Sequence, residues 1–423
     1  MMRRRALLTG PSASLAARAL TTPARIAAGP VASGLLSSSV STAPARAQDG
    51  LPIVRIGVLW DRSGTSAMTS GPDQVVAARL AVADFGRLSR GYPVEIVSAG
   101  FERRPDQAVG IVRDWFDKGG VAAVADIPGT VAPVMVQDLA RARDRTVLNT
   151  GSFNAALTGI SCSPTATHWI EDTSALTLAM TLGMAAEGVK SWFLVVPDDV
   201  TGLAFQAGAT AAIESTGGHL VGFARHPGDA DTFTRALTNA RQSGADAIGL
   251  CATGEVLTAQ IKQARALGLF ERSKAVCAYA ATITGIHALQ ADEARDLRAV
   301  TTFYWNRNDH TRSFANRFHA ATEHMPDRSH AATYVAIGHF LRLVETTDTL
   351  DGGVLNTRLR REPPYFFGAS GRFRADGRLV LEMGLYRVKP LDQAVTPWDY
   401  YQPVRDVPAQ EAFRLMGRSK CPV

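Results

Sequence analysis

Apolar positions recur along residues 53–277 in two alternating rhythms. Short unbroken apolar runs, beginning with Ile53-Val54-Arg55-Ile56-Gly57-Val58-Leu59 and continuing at 94–97, 121–125 and 146–148, read as strands. Between them, residues 73–85 carry Val76, Leu80 and Ala83 at helical spacing, and 105–118 and 131–142 show the same period. Pro105 suits a first helical turn. Strands alternating with helices of this length predict βαβ units and a parallel sheet with right-handed crossovers. The rhythm breaks at 149–171, where Thr150-Gly151-Ser152 and Cys162-Ser163-Pro164 are loop chemistry. So long a connection is unusual inside one domain and predicts passage to a second. There the rhythm resumes, with helices expected at 173–186, 203–216, 230–243 and 255–267 and strands at 192–196, 220–223, 247–251 and 275–277.

Residues 282–296 have mixed character, followed by a short apolar run at 299–303 and helical patterns at 313–324 and 331–346. Phe303-Tyr304-Trp305-Asn306-Arg307-Asn308-Asp309 stands where that run hands over to a helix. Such handovers line the ligand crevice of α/β proteins, although aromatics there equally serve as a packed corner. The chain end changes style. Phe366-Phe367, Gly371-Arg372-Phe373 and 379–386, with Asp376-Gly377 as a turn, read as a small antiparallel appendage.

The 423 residues allow two or three domains, and 46% hydrophobic with 20% charged residues is ordinary for a globular protein. The net charge of +6 misleads: residues 1–47 hold Arg3, Arg4, Arg5, Arg18, Arg25 and Arg46 and no acid, which leaves the remainder neutral. No basic field remains for nucleic acid. Arg3-Arg4-Arg5-Ala6-Leu7-Leu8 followed by a weakly apolar stretch and Ala45-Arg46-Ala47 predicts an export signal over 1–47, of twin-arginine style, cleaved after Ala47. No cysteine lies near that site, so no lipoprotein anchor is expected. No later apolar run reaches the roughly 18 residues of a membrane span, and the mature protein is expected to be soluble and periplasmic.

Cys162, Cys251, Cys277 and Cys421 include no C-x-x-C pair, which argues against structural zinc. In an oxidising compartment a bridge is allowed. Cys162 lies in a turn-rich stretch and Cys421 near the chain end, so these two are the expected pair, clasping the C-terminus. Cys251 and Cys277, in apolar runs, are expected as buried thiols; spacing alone leaves the connectivity open. There is no G-x-S-x-G elbow, Walker loop, H-E-x-x-H or G-x-G-x-x-G, and His324 and His330 lack metal-pair spacing. No catalytic residue, cofactor or metal is therefore expected, and the chain is not expected to be an enzyme.

The ordered set Phe303 to Asp309, Thr311-Arg312, Phe314, Arg317-Phe318, Met325-Pro326 and Tyr334 resembles the substrate-binding proteins of ABC importers of the branched-chain amino acid (leucine-binding, type I periplasmic binding protein) family. Ile56-Gly57-Val58-Leu59 through Gly64, Cys162-Ser163-Pro164 with His168-Trp169, Trp192-Phe193 through Gly202, and Thr253-Gly254 through Gly268-Leu269 fit in order. The resemblance covers residues 53–423 and implies two doubly wound α/β, Rossmann-like lobes joined by hinge crossovers, closing like a flytrap on a small ligand. The expected boundaries are 53–165 plus 284–335 for lobe 1 and 166–283 plus 336–423 for lobe 2. Departures bear on the ligand: Asn306 replaces a common Asp, His330 and Ala332 a common Gln and Gly, and Val200 a frequent aromatic.

On this reading the first lobe offers Trp60, Asp61, Ser63, Gly129, Thr130 and Gly151, and the second Asp199, Thr201, Thr253 and Glu255. Gly129-Thr130 precedes a helix whose free N–H groups suit a carboxylate. Resemblance suggests Glu255 for a ligand ammonium. Tyr304 and Asn306 are placed near the cleft mouth, with Trp60, Tyr304 and Trp305 as an aromatic wall. Tyr304→Ala is accordingly expected to weaken binding more than stability. The expected role is solute capture (an amino acid, amide, or aromatic or aliphatic carboxylate) and delivery to an inner-membrane ABC permease by a monomer. A ligand sensor on a signalling receptor and an amidase-like enzyme are the alternatives.

Overall fold

The computed structural model describes residues 53–62, 71–86, 91–102, 104–413 and 421. The expected export signal, its cleavage site and Ser63 lie outside the described residues.

The first lobe is built on β1 (Val54–Asp61), α1 (Asp73–Gly86), β2 (Val94–Phe101), α2 (Pro105–Asp117), β3 (Val121–Ala125), α3 (Ala132–Arg141), β4 (Thr146–Asn149) and β5 (Ala166–His168). Its strands form an all-parallel sheet in the order β2-β1-β3-β4-β5. β3 and β4 are buried at every residue, which is why they read as unbroken apolar runs instead of alternating ones.

The second lobe follows with α4 (Thr173–Ala186), β6 (Ser191–Pro197), α5 (Val200–Ser215), β7 (His219–His226), α6 (Ala230–Gln242), β8 (Ala247–Leu250), α7 (Gly254–Ala266), α8 (Leu269–Arg272), β9 (Ala275–Ala278), α9 (Ile283–Ala288) and β10 (Arg298–Thr301). The chain then forms α10 (Asp309–Thr322), α11 (Arg328–Thr347), α12 (Gly352–Arg361), the short strands β11 (Tyr365–Phe366), β12 (Ala369–Ser370), β13 (Arg372–Phe373) and β14 (Leu379–Val380), then β15 (Met383–Val388), β16 (Tyr401–Val407) and α13 (Ala409–Ala412). The second sheet runs β16-β15-β10-β9-β8-β6-β7, parallel from β10 to β7 and antiparallel at β15 and β16. β11–β12 and β13–β14 are separate antiparallel hairpins, the second closing around Asp376-Gly377.

The lobe boundaries differ from those expected at 166, 284 and 336; β5 at 166–168 pairs with β4 and so stays in the first lobe. α9 and β10 belong to the second lobe, because the apolar run of β10 adds one more strand beside β9 and receives β15 on its other edge. α10 and α11 pack on α1, and α12 beside β4 and β5, so residues 309–361 belong to the first lobe. The chain crosses between lobes three times: at 169–172, at 302–308 and near 381–382. Cys162, just before β5, and Cys421 are joined by a disulfide with a Cα–Cα distance of 5.5 Å. Cys251 and Cys277 are buried free thiols, and burial pushes both up well beyond the usual thiol range.

Candidate functional site

Between the lobes lies a cleft of about 490 Å³, formed by the loops that leave the C-terminal ends of the parallel strands. The first lobe supplies Asp61 at the end of β1 and Gly129-Thr130 after β3; the second supplies Asp198 to Thr201 after β6, Pro227-Gly228 after β7 and Cys251 to Thr253 after β8. A smaller inner pocket of about 60 Å³ shares Gly129, Thr130, Thr201 and Thr253 and adds Gly151, Phe153, Asn154, Thr173 and Ala280. At their junction Thr130 Oγ1 and Thr201 Oγ1 share a hydrogen bond of 2.9 Å, so the lobes touch directly.

Local chemistry explains the shape of each wall. Gly129 has φ +92°, a left-handed conformation that favours glycine. Its carbonyl accepts from Ser152 Oγ at 2.7 Å, and the Thr130 carbonyl from Asn154 Nδ2 at 2.8 Å. A Cβ on Gly151 would meet Asp126 Oδ1 at 2.1 Å, and one on Gly202 the Pro197 carbonyl at 2.2 Å. Both glycines therefore permit close loop packing.

The helix ends in the cleft are not alike. α5 is capped by Asp199, whose Oδ1 accepts from the Gly202 N–H at 2.8 Å. α3 and α7 have no side-chain cap: Val131 cannot provide one and the Thr253 side chain does not. Their first-turn N–H groups thus lack a side-chain cap at the cleft, one set from each lobe, with the positive end of each helix dipole behind them. The described lining of the large cleft contains Asp61, Asp198 and Asp199 but no lysine, arginine or histidine. Favourable contacts for an anionic group there would come from backbone N–H groups.

Of the residues expected from sequence, Asp61, Gly129, Thr130, Asp199, Thr201 and Thr253 line the large cleft and Gly151 the inner pocket. Four do not line either. Trp60 lies over Gly100 of β2, whose absent Cβ leaves room for its ring. Glu255 is exposed, since one residue of helix rotation, about 100°, turns it away while Val256 faces the cleft. Tyr304 is 4% exposed and donates to Asp399 Oδ1 at 2.9 Å. Asn306 Nδ2 donates to the same oxygen at 3.3 Å, and Trp305 Nε1 to the Trp398 carbonyl at 2.8 Å. The expected aromatic wall does not line the described cleft: Tyr304 and Trp305 form the packed corner with 398–401, and Trp60 lies on β2. Phe101 in the outer cleft and Phe153 in the inner pocket are the aromatics that the described lining does hold. Sequence reasoning missed Phe153, Thr173 and Ala280; Phe153, two residues after Gly151, carried a signal only in that proximity.

It also missed the charges buried in the hinge. In the first crossing Asp172 caps α4 and pairs with Arg378, which is completely buried and also donates to His168 Nδ1 at 2.7 Å. His168 Nε2 donates to the Ser152 carbonyl at 2.7 Å. Burial, then the Arg378 guanidinium, hold His168 well below the usual imidazole value, so it acts as a neutral link. Arg378 thereby fastens the third crossing to the first.

Two lobes around such a cleft, crossed three times by the chain, define a class of ligand-capturing proteins. A family model described as periplasmic binding protein matches residues 53–394, and the chain belongs to that family. A periplasmic binding protein from Burkholderia mallei is 30% identical, with 87% of this chain and 98% of that one covered and a TM-score of 0.81. A branched chain amino acid ABC transporter periplasmic ligand-binding protein from Burkholderia xenovorans LB400 is 29% identical, covering 87% and 99%, with a TM-score of 0.81. A solute binding protein of an ABC transporter from R. palustris, in complex with benzoate, shares the fold at 16% identity, covering 88% and 100%, with a TM-score of 0.76. Comparison with curated proteins finds no match.

Proposed function

We propose that this chain is the periplasmic solute-binding component of an ABC importer, capturing a small organic solute by lobe closure and delivering it to an inner-membrane permease. The observation that carries the reading is the interlobe cleft with helix N-termini from both lobes lacking side-chain caps. Acceptor oxygens of a solute would complete the hydrogen bonding of α3 and α7 at once, so binding favours the form in which both walls are near. Relatives named for branched chain amino acids and for benzoate bracket the solute class. Within that bracket the cleft favours an amino acid or amide. A carboxylate or carbonyl end suits the helix N-termini, and an ammonium or amide N–H end suits the aspartates. A plain aromatic acid satisfies only the first, and few rings line the described walls. The protein acts as a monomer without turnover, after removal of residues 1–47.

The test is calorimetry and thermal denaturation of protein beginning at Gln48 against amino acids, their amides and aromatic acids. A true solute at a hundredfold excess over its Kd adds about 2.7 kcal/mol and raises Tm, with no chemical change in the recovered solute. If no compound shifted Tm, the proposal would fail; turnover of a bound amide would turn it towards catalysis.

A further inference from the structure

The interlobe site has two compartments of different chemistry, which adjoin at Gly129, Thr130, Thr201 and Thr253. The inner pocket, of about 60 Å³, is neutral. Its described lining holds Thr130, Thr173, Thr201, Thr253 and Asn154 beside Phe153, glycine and alanine, and no ionisable side chain. It also reaches Gly254, the first residue of α7, whose N-terminus has no side-chain cap. One water needs about 10–15 Å³ of such space, so the pocket takes about four to six non-hydrogen atoms. That is room for a carboxylate and the carbons next to it.

The outer cleft, of about 490 Å³, carries acid on both walls: Asp61 from the first lobe, Asp198 and Asp199 from the second. No cation in its described lining balances them. The cations next along the chain are already matched, Arg62 with Glu102 and Arg104 with Asp106 at 2.7 Å. His226, beside the wall at Pro227-Gly228, is neutral. Burial holds it below the usual imidazole value, and its Nδ1 accepts the Gly228 N–H at 3.1 Å. Bringing two acidic walls together costs repulsion, which a cation between them removes.

An α-amino acid carries both its charges on one carbon. With its carboxylate in the inner pocket, its ammonium would lie where the described lining has no acid, and Glu255, expected for that contact, is exposed and turned away. An ammonium taken from water without a counter-charge is costly. The reverse orientation sets the ammonium against the positive end of the α7 dipole. We propose that the solute is an ω-amino acid, its two charges separated by a methylene chain. The carboxylate sits in the inner pocket among the threonines and at the N-terminus of α7. The ammonium sits in the outer cleft between Asp61 and Asp198-Asp199, and the methylenes pass the junction at Thr130 and Thr201. The inference rests on solute capture at this cleft and names the class of solute.

The test is calorimetry on protein beginning at Gln48 with γ-aminobutanoate and δ-aminopentanoate, against leucine, pentanoate and benzoate. At least one of the two ω-amino acids is expected to bind at least tenfold more tightly than each of the other three. Asp199→Asn keeps a cap of equal quality on α5 and removes one charge from the outer cleft; Asp198→Asn removes a charge at an exposed position. Each is expected to narrow the ratio of affinities between δ-aminopentanoate and pentanoate at least threefold. Tightest binding of leucine or benzoate would overturn the inference and leave solute capture standing. A ratio unchanged in the variants that fold would overturn it as well; if neither folds, the wild-type order of affinities decides. No binding of any of the five compounds also overturns it, while solute capture falls only if the wider screen finds nothing.

Discussion

Tyr304 shows how much one side chain's role depends on residues far along the chain. Its ring packs on Tyr386 and Tyr401 with centroids 5.4 and 5.1 Å away, and its hydroxyl donates to Asp399. Truncating a buried aromatic of this kind costs about 3–5 kcal/mol. Tyr304→Ala is expected to lower the free energy of unfolding by that order in a denaturant titration, while affinity for any solute found by the thermal screen stays within about twofold. The sequence-based expectation ran the other way. Aromatics at a strand–helix handover fit a binding wall and a core corner equally well. The choice is made by 398–401, which return beside Tyr304 only after nearly a hundred further residues.

At the scale of elements, the cleft is a meeting of helix N-termini. α3 and α5 come from different lobes, and the hydroxyls of Thr130 and Thr201 join them at 2.9 Å. Thr201→Val keeps the branched shape and removes that bond, worth about 1 kcal/mol net. Calorimetry should then show affinity roughly fivefold weaker for a solute that bridges the lobes, with little change in the ligand-free Tm. Equal affinity in the variant would mean that this contact does not contribute to closure. From sequence this helix was expected only from 203 and Asp199 as a ligand residue; the structure starts α5 at Val200 and makes Asp199 its N-cap. That Thr253 leaves α7 without a side-chain cap was not readable, since threonine is itself a good cap residue.

At the scale of the whole molecule, the Cys162–Cys421 disulfide closes a sequence separation of 259 residues. It ties the chain end, after β16 and α13 of the second lobe, to the first lobe. Long loops carry a large closure entropy, and loss of such a bond typically costs about 2–4 kcal/mol. The Cys162→Ser/Cys421→Ser double variant is expected to unfold at lower denaturant concentration by that order. Reductant should destabilise the wild type to the same extent and leave the variant unaffected. Cys251 and Cys277 would contribute nothing to this difference, buried as they are.

The sequence by itself determined the class of fold. Apolar runs alternating with helical periodicity left a doubly wound α/β architecture as the solution, and the break at 149–171 marked the first passage between lobes. It also pointed to the loops after β1, β3, β4, β6 and β8 as candidates, because ligand crevices of such folds lie at the C-terminal ends of parallel strands; the cleft is lined in addition by Pro227-Gly228 after β7. Only the tertiary structure decided the other questions. It assigned α9 and β10 to the second lobe and 336–361 to the first, because sheet order is set by pairing between segments distant in sequence. It turned Glu255 outward and Trp60 onto Gly100, matters of helix phase and strand register that fall within the error of any sequence-based boundary. And it gathered Asp172 and Arg378 into one buried hinge. Each looks like an ordinary surface charge in the sequence, and only the folded chain removes them from water and makes them depend on one another.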